Sequence, residues 1–164
     1  DLHSTSRRQR QMCIRDRVAC EDLAQAIDFI IRHADELQVA TGNYSLWGGS
    51  AGARMAAYLG SYGTQGFIGI EHARPAAVIM GYTSHSDYTA DDPPTYALIG
   101  DNDAIASASV MQQRVNNLQA LGIDAEFHLY PNLRHGFGLG TGTSAEGWEK
   151  EAVRFWERHI SRKN

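Results

Sequence analysis

Short, continuously apolar segments alternate along the chain with segments of helical periodicity. Residues 76–80 (AAVIM) and 95–100 (TYALIG) show no polar alternation, as in strands that are buried on both faces. The remaining predicted elements are two strands, at 44–47 and 125–130, and four helices, at 19–38, 51–59, 107–121 and 146–160. This alternation predicts the α/β class, with a mostly parallel sheet and helices on both of its faces.

The composition of the chain excludes several classes of protein. With 164 residues, of which 43% are hydrophobic and 21% are charged, the chain resembles one globular domain. A net charge of -4 lacks the basic surface typical of nucleic-acid binding, and no apolar run approaches the roughly 20 residues of a membrane-spanning helix. The sequence also lacks metal-ligand motifs. We therefore expect no nucleic acid, membrane, metal or cofactor as a partner.

The first 17 residues differ from the rest of the chain. They carry five of the 15 Lys and Arg residues without apolar periodicity, which is typical of a disordered basic arm. A secretory signal is excluded because no apolar stretch is present. Residues 7–16 (RRQRQMCIRD) also resemble the translation of a transposase-type sequencing adapter. We favour this last interpretation, which predicts that residues 1–17 are a disordered artefact and that the natural sequence begins near Val18.

Residues 48–52 (GGSAG) fit the pattern G-x-S-x-G between a predicted strand and a predicted helix. In this context the pattern predicts a sharp turn that exposes Ser50 as a nucleophile. Gly48 and Gly52 would remove side chains that collide across the turn. The Ala51 N–H, at the start of the helix, would stabilise negative charge that develops on an oxygen. The alternative is a glycine-rich turn in which Ser50 only caps the helix.

A serine nucleophile needs a base, and the base needs an acid that orients it. His135 follows the last predicted strand, and Asp101 and Asp103 both follow the strand before it. Either aspartate has the position to orient His135. Two further residues are candidates for substrate binding, Gly49 and His85.

Three motifs, together with the order Ser–Asp–His, resemble α/β-hydrolases of the acetyl-esterase and carbohydrate-esterase kind, including feruloyl-esterase-like and acetylxylan-esterase-like proteins. The motifs are GGSAGA at 48–53, PPTYALIGDND at 93–103, and HGFGLGTGT from residue 135, with EGW and FW after it. The resemblance covers about residues 19–161 and implies the C-terminal part of an α/β-hydrolase fold. It also implies a catalytic triad of Ser50, Asp103 and His135.

The sequence departs from this family by a loss. An H-G-G-G-type motif, which supplies a second backbone N–H to the oxyanion in that family, is absent from the chain. We therefore expect residues 18–164 to be the C-terminal portion of a single catalytic domain, with its first strands and its oxyanion loop missing and one edge of its sheet exposed. The compartment stays open, because any signal peptide would lie in the missing part.

The function implied by the resemblance is that of a serine ester hydrolase that works through an acyl-enzyme. About a dozen polar residues join the strand at 76–80 to that at 95–100, and no apolar lid is present. We therefore expect a small-molecule or polysaccharide ester as substrate, such as a short acyl or feruloyl ester of a carbohydrate. The alternatives are a prolyl-oligopeptidase-like serine peptidase, a hydrolase-fold binding protein without catalysis, and an inactive fragment.

Overall fold

The computed structural model describes residues 14–160, which form a four-stranded sheet surrounded by helices. In chain order the elements are α1 Ile14–Arg32, α2 Ala34–Leu37, β1 Ser45–Gly49, α3 Ala51–Tyr62, α4 Gln65–Ile68, β2 Ala77–Gly81, β3 Thr95–Gly100, α5 Ala108–Ala120, β4 Ala125–Tyr130 and α6 Trp148–Arg158. The strands lie in the order β1-β2-β3-β4, and each neighbouring pair is parallel. The predicted α/β class with a parallel sheet is therefore confirmed.

Helices cover both faces of the sheet, as predicted. Successive residues of a strand point to opposite faces, so Val78 packs against α3 and α5, whereas Ile79 packs against α6. The α6 side of the core includes Phe155, which is fully buried. On the other side of the sheet, α1 packs through Cys20 onto Leu59 of α3. The continuously apolar strands are thus explained by burial on both faces.

The N-terminal helix differs most from the expectation. The predicted helix at 19–38 is divided into α1 and α2, and α1 begins five residues early. Disorder is therefore the wrong prediction for residues 14–17. Two ion pairs hold this first turn, from Arg17 to Glu21 at 2.8 Å and from Asp16 to Arg54 of α3 at 3.1 Å. The rest of the predicted artefact, residues 1–13, lies outside the described residues.

Within the described part of the chain, β1 is an edge strand with β2 as its one neighbour. Trp47 of β1 is 40% exposed, and its ring lies 5.9 Å from that of Trp148 at the start of α6. An exposed edge of the sheet was expected from the sequence, and this arrangement agrees with it.

The loop between β2 and β3 is held by a buried ion pair. Arg114 of α5 donates to Asp92 at 2.5 Å and to the Asp87 carbonyl at 2.9 Å. Both charged side chains are almost fully buried. Thr89 donates to the second oxygen of Asp92 through its backbone N–H and its hydroxyl. The polar sequence of this loop therefore encodes a fixed structure rather than a lid.

Removing one member of this pair should be costly. We expect Asp92→Asn to lower the free energy of unfolding by about 3–5 kcal/mol, because the Arg114 guanidinium would remain buried without a counter-charge. Urea denaturation followed by circular dichroism measures the change. The matched control is Glu21→Gln, which breaks an exposed ion pair and should cost less than about 1 kcal/mol. Equal costs for the two variants would contradict the assignment.

Candidate active site

Ser50 occupies a strained turn between β1 and α3. Its φ of 55° and ψ of -119° lie in a region that residues other than glycine rarely adopt. The turn is held by a hydrogen bond from the Ser50 N–H to the Gly81 carbonyl at 2.9 Å. A Cβ at Gly48 would lie 2.3 Å from the backbone carbonyl of residue 52. A side chain at residue 48 would therefore collide with the start of α3.

The steric reason given for Gly52 is wrong. A Cβ built at Gly52 has no heavy atom within 4 Å. A side chain at residue 48 would collide with the backbone of residue 52, whereas a side chain at residue 52 would not collide with residue 48. In the described structure only position 48 therefore has to be a glycine.

The Ser50 hydroxyl contacts a histidine and does not cap the helix. No capping hydrogen bond joins the Ser50 side chain to the first turn of α3. Its Oγ instead lies 2.8 Å from Nε2 of His135, whose Nδ1 lies 2.8 Å from Oδ2 of Asp103. The structure thus brings together the three residues that the sequence predicted as a triad, although they lie on three separate loops.

Asp103 is buried and fully hydrogen-bonded. Its side chain is 1% exposed, and Oδ1 accepts the N–H groups of Ile105 and Ala106, each at 2.8 Å. Burial alone would raise the pKa of Asp103, but these two N–H groups and His135 outweigh burial and hold the pKa below its ordinary value. Asp103 is therefore a carboxylate at neutral pH.

Asp101, the rival candidate, has a different role. Its Oδ1 accepts the backbone N–H of Asn132 at 2.7 Å, and Asn132 has a positive φ of 61°. Asp101 therefore fixes the turn that follows β4, and no contact joins it to His135 among the described hydrogen bonds. Of the two candidate aspartates, the structure places Asp103 against His135 and Asp101 against the Asn132 N–H.

A glycine at the end of β3 allows the histidine loop to approach. A Cβ at Gly100 would lie 2.2 Å from the carbonyl oxygen of Leu133, and that same oxygen accepts the N–H of Asn102 at 3.0 Å. The loop that carries His135 therefore crosses directly over the strand that precedes Asp103. Sequence reasoning missed this residue, for which a glycine ending a buried strand was the available signal.

The Ala51 N–H belongs to the first turn of α3. The first N–H groups of a helix lack partners within that helix and point along its positive end. The predicted oxyanion role of Ala51 is compatible with this position, which is next to the Ser50 hydroxyl.

Gly49 lies beside a shallow apolar cavity of about 290 Å³. The lining residues are Trp47, Gly48, Gly49, Ile79, Gly81, Tyr82, Gly138, Leu139 and Trp148. A Cβ at Gly49 would lie 2.5 Å from the hydroxyl oxygen of Tyr82, so the Tyr82 ring occupies the space beside this glycine. Substrate binding by Gly49 stays a prediction, and Tyr82 is a site residue that the sequence did not indicate.

His85, the other candidate for substrate binding, lies elsewhere. Its side chain is 4% exposed and packs edge-on against Tyr58 with 4.5 Å between ring centroids. Burial lowers the pKa of His85 to about 3, with smaller contributions from Arg114 and Arg54. A neutral ring enclosed by protein does not meet a substrate from solution, so this prediction is corrected: His85 is a packing residue.

Among residues 14–160, no group of three or more His, Cys, Asp or Glu side chains is arranged to hold a metal ion. None of the helices in that same range combines the length and the apolar character needed to cross a membrane.

Comparison with known proteins supports the predicted fold. Residues 16–72 match the sequence model of the BD-FAE family. No curated protein matches the sequence significantly.

Solved structures resemble most of the chain. MGS-M1, an α/β-hydrolase enzyme from a Medee basin deep-sea metagenome library, aligns with 85% of this chain and 64% of its own at 22% identity and a TM-score of 0.70. The acetyl ester-xyloside bifunctional hydrolase of Caldicellulosiruptor lactoaceticus aligns with 85% of this chain and 65% of its own, at 18% identity and a TM-score of 0.72. The carboxylesterase Cest-2923 of Lactobacillus plantarum WCFS1 aligns over 88% and 70%, at 17% identity and a TM-score of 0.72.

These likenesses define the class of protein to which the fold belongs. The chain has the α/β-hydrolase fold, as the motifs around residues 50, 103 and 135 predicted. It spans 64% and 65% of the length of the first two structures.

The burial of His85 has a consequence for stability. A histidine that is neutral in the folded state and has its ordinary pKa of about 6.5 when unfolded takes up a proton on unfolding. The contribution of the neutral His85 to the free energy of unfolding is complete above pH 6.5 and is lost as the pH falls from 6.5 toward 3. We expect the free energy of unfolding to drop between pH 7 and pH 5 by about 2 kcal/mol more in the wild type than in His85→Phe. Urea titrations at both pH values measure this, and parallel pH profiles would contradict it.

Proposed function

We propose that this protein is a serine ester hydrolase that acts through an acyl-enzyme, with Ser50, His135 and Asp103 as its catalytic triad. The observation that carries the proposal is the unbroken path of hydrogen bonds from Ser50 Oγ through both nitrogens of His135 to Asp103. A serine that only capped α3 would direct its hydroxyl toward the helix N–H groups, and Ser50 does not. The strain of the Ser50 turn is also typical of functional sites.

The geometry accounts for the first half of the reaction. His135 Nε2 accepts the Ser50 proton while Oγ attacks the carbonyl carbon of the ester. The carbonyl oxygen becomes negative and faces the Ala51 N–H at the start of α3. The bond between the carbonyl carbon and the alcohol oxygen then breaks as His135 gives its proton to that oxygen. The alcohol leaves, and the acyl group remains bonded to Ser50 Oγ.

The second half repeats these proton transfers with water. His135 accepts a proton from water as the water oxygen attacks the acyl carbon. The tetrahedral intermediate collapses, the proton passes from His135 to Ser50 Oγ, and the carboxylic acid is released. Asp103 stays ionised throughout and stabilises the imidazolium that forms twice in the cycle.

The substrate class that fits best is a short acyl or feruloyl ester of a carbohydrate. The loop of residues 82–94 is short, and the Arg114–Asp92 pair fixes it in place, so it offers no mobile apolar cover for a lipid. The match to the BD-FAE family and the description of one structural neighbour as an acetyl ester-xyloside hydrolase support this class.

Removal of the nucleophile tests the proposal. We expect Ser50→Ala to lower the hydrolysis of p-nitrophenyl acetate at least about 10³-fold and to abolish labelling by a fluorophosphonate probe. Both measurements are made on the 164-residue chain and on the chain joined to its natural upstream sequence. The control is Ser109→Ala on the exposed start of α5, which should leave both unchanged. Equal rates for wild type and Ser50→Ala would overturn the mechanism, and preferred cleavage of prolyl peptides would favour the peptidase alternative.

We also propose that residues 18–164 are the C-terminal portion of one α/β-hydrolase domain and that residues 1–17 are a translated sequencing adapter. The share of the neighbouring structures that the chain spans and the position of β1 at the edge of the described sheet support the first of these proposals, and the sequence RRQRQMCIRD at residues 7–16 supports the second. We expect the nucleotides that encode residues 7–16 to read as adapter codons. A different codon series there, or a genomic reading frame that continues through these residues, would overturn the proposal.

A further inference from the structure

We propose that Tyr82 is a positioning residue for His135, whose ring it holds at the angle that serves Ser50 and Asp103 together. The inference rests on the triad chemistry proposed above and adds a fourth side chain to it. Tyr82 lies directly after β2, next to the Ser50 turn, and Gly81 before it pairs with Gly49 before Ser50.

Tyr82 is held in a backbone conformation that tyrosine rarely adopts. Its φ is 38°, which strains a residue with a Cβ. Such strain persists only where the surroundings enforce it. Here the Tyr82 N–H donates to the Leu98 carbonyl at 2.7 Å, and the Thr83 N–H donates to the sulfur of Met111 at 3.4 Å. The conformation turns the Tyr82 ring across the end of β1.

The Tyr82 ring touches the loop that carries the base. It meets His135 edge-on, with centroids 5.2 Å apart and planes at 72°, and it meets Phe137 at 5.0 Å and 63°. Both arrangements are favourable for aromatic pairs. One side chain from the sheet thus contacts two residues of a loop that contains no helix or strand between β4 and α6.

Two hydrogen bonds attach the His135 ring, at Nε2 to Ser50 and at Nδ1 to Asp103. The ring is joined to the backbone through Cβ, so its remaining freedom is rotation about the Cβ–Cγ bond. The edge-on contact with Tyr82 opposes that rotation. Rotation about this bond would move Nε2 away from Ser50 and Nδ1 away from Asp103, and such misalignment lowers the rate of proton transfer.

Because Gly49 has no side chain, the Tyr82 side chain can lie directly against it. A Cβ at residue 49 would lie 2.5 Å from the hydroxyl oxygen of Tyr82 and 2.7–2.8 Å from two of its ring carbons. Gly49→Ala is therefore a second way to move the ring without changing Tyr82 itself. If it acts through Tyr82, its effect on kcat should disappear once the ring is removed.

Paired substitutions at position 82 test the role. We expect Tyr82→Phe, which keeps the edge-on contact, to retain kcat within about twofold, and Tyr82→Leu to lower kcat by about 10- to 100-fold with KM changed less than about twofold. Gly49→Ala should lower kcat in the wild type and add nothing in Tyr82→Leu. The matched control is Tyr58→Leu, which removes an edge-on contact with His85 instead and should leave kcat unchanged.

A spectroscopic measurement separates this inference from the proposed function. We expect the proton between His135 Nδ1 and Asp103, which lie 2.8 Å apart, to give a far-downfield NMR resonance whether or not the chain turns over an ester. We expect this resonance to persist in Tyr82→Phe and to broaden or vanish in Tyr82→Leu. If Ser50→Ala hydrolyses as fast as wild type, the proposed function fails, while the resonance still tests Tyr82. An unchanged resonance and kcat in Tyr82→Leu, or an equal loss in Tyr82→Phe, would overturn the positioning role.

Discussion

Because the four strands run parallel, their carboxyl ends meet at one edge of the sheet, and each residue of the candidate triad follows one of those ends. Ser50 follows β1, Asp103 follows β3 and His135 follows β4. The remaining strand, β2, ends at Gly81, directly before Tyr82, and lies between β1 and β3. The strand order sets the end of the sheet at which these groups lie. Because β1 and β4 are the outer strands of the described sheet, the loop after β4 has to cross back over β3 to bring His135 to Ser50.

Glycines make this crowded edge possible. At Gly48 and Gly100 an added Cβ would meet backbone atoms, and at Gly49 it would meet the Tyr82 ring. Each glycine allows a different approach: the start of α3 onto β1, the histidine loop onto β3, and an aromatic ring onto β1. Non-glycine residues next to them, Ser50 and Tyr82, carry the positive φ angles. The strain and the close contacts are thus concentrated where the chemistry is proposed to occur.

Much of this arrangement was predictable from the sequence. β3 is continuously apolar and buried along its whole length, and both β3 and β4 were predicted with their observed bounds. Ser50 and His135 were indicated by a local motif and by the order of the elements, whereas only the family resemblance favoured Asp103 over Asp101. Of the two glycines in that motif, the structure shows a steric requirement at Gly48 and none at Gly52.

The features that were missed depend on contacts between distant segments. Nothing local indicates that Tyr82 adopts a positive φ, that Arg114 reaches Asp92 across a loop, or that His85 is enclosed beside Tyr58. The extra turn of α1 depends on Asp16 meeting Arg54 of another helix. These conformations depend on tertiary contacts, which cannot be predicted from apolar periodicity or short motifs.

The hydrogen bonds to Asp103 determine which nitrogen of His135 carries the proton. Its Oδ1 accepts two backbone N–H groups, and a carboxylate has no proton of its own to give. His135 must therefore carry its proton on Nδ1 and present a lone pair at Nε2, which is the tautomer that can accept from Ser50. An asparagine of the same shape would keep its oxygen on the two N–H groups and turn its amide nitrogen toward His135. Nδ1 would then accept a hydrogen bond and Nε2 would carry the proton. With the same geometry, Nε2 could only donate to Ser50 Oγ, and no base would be present to accept the serine proton.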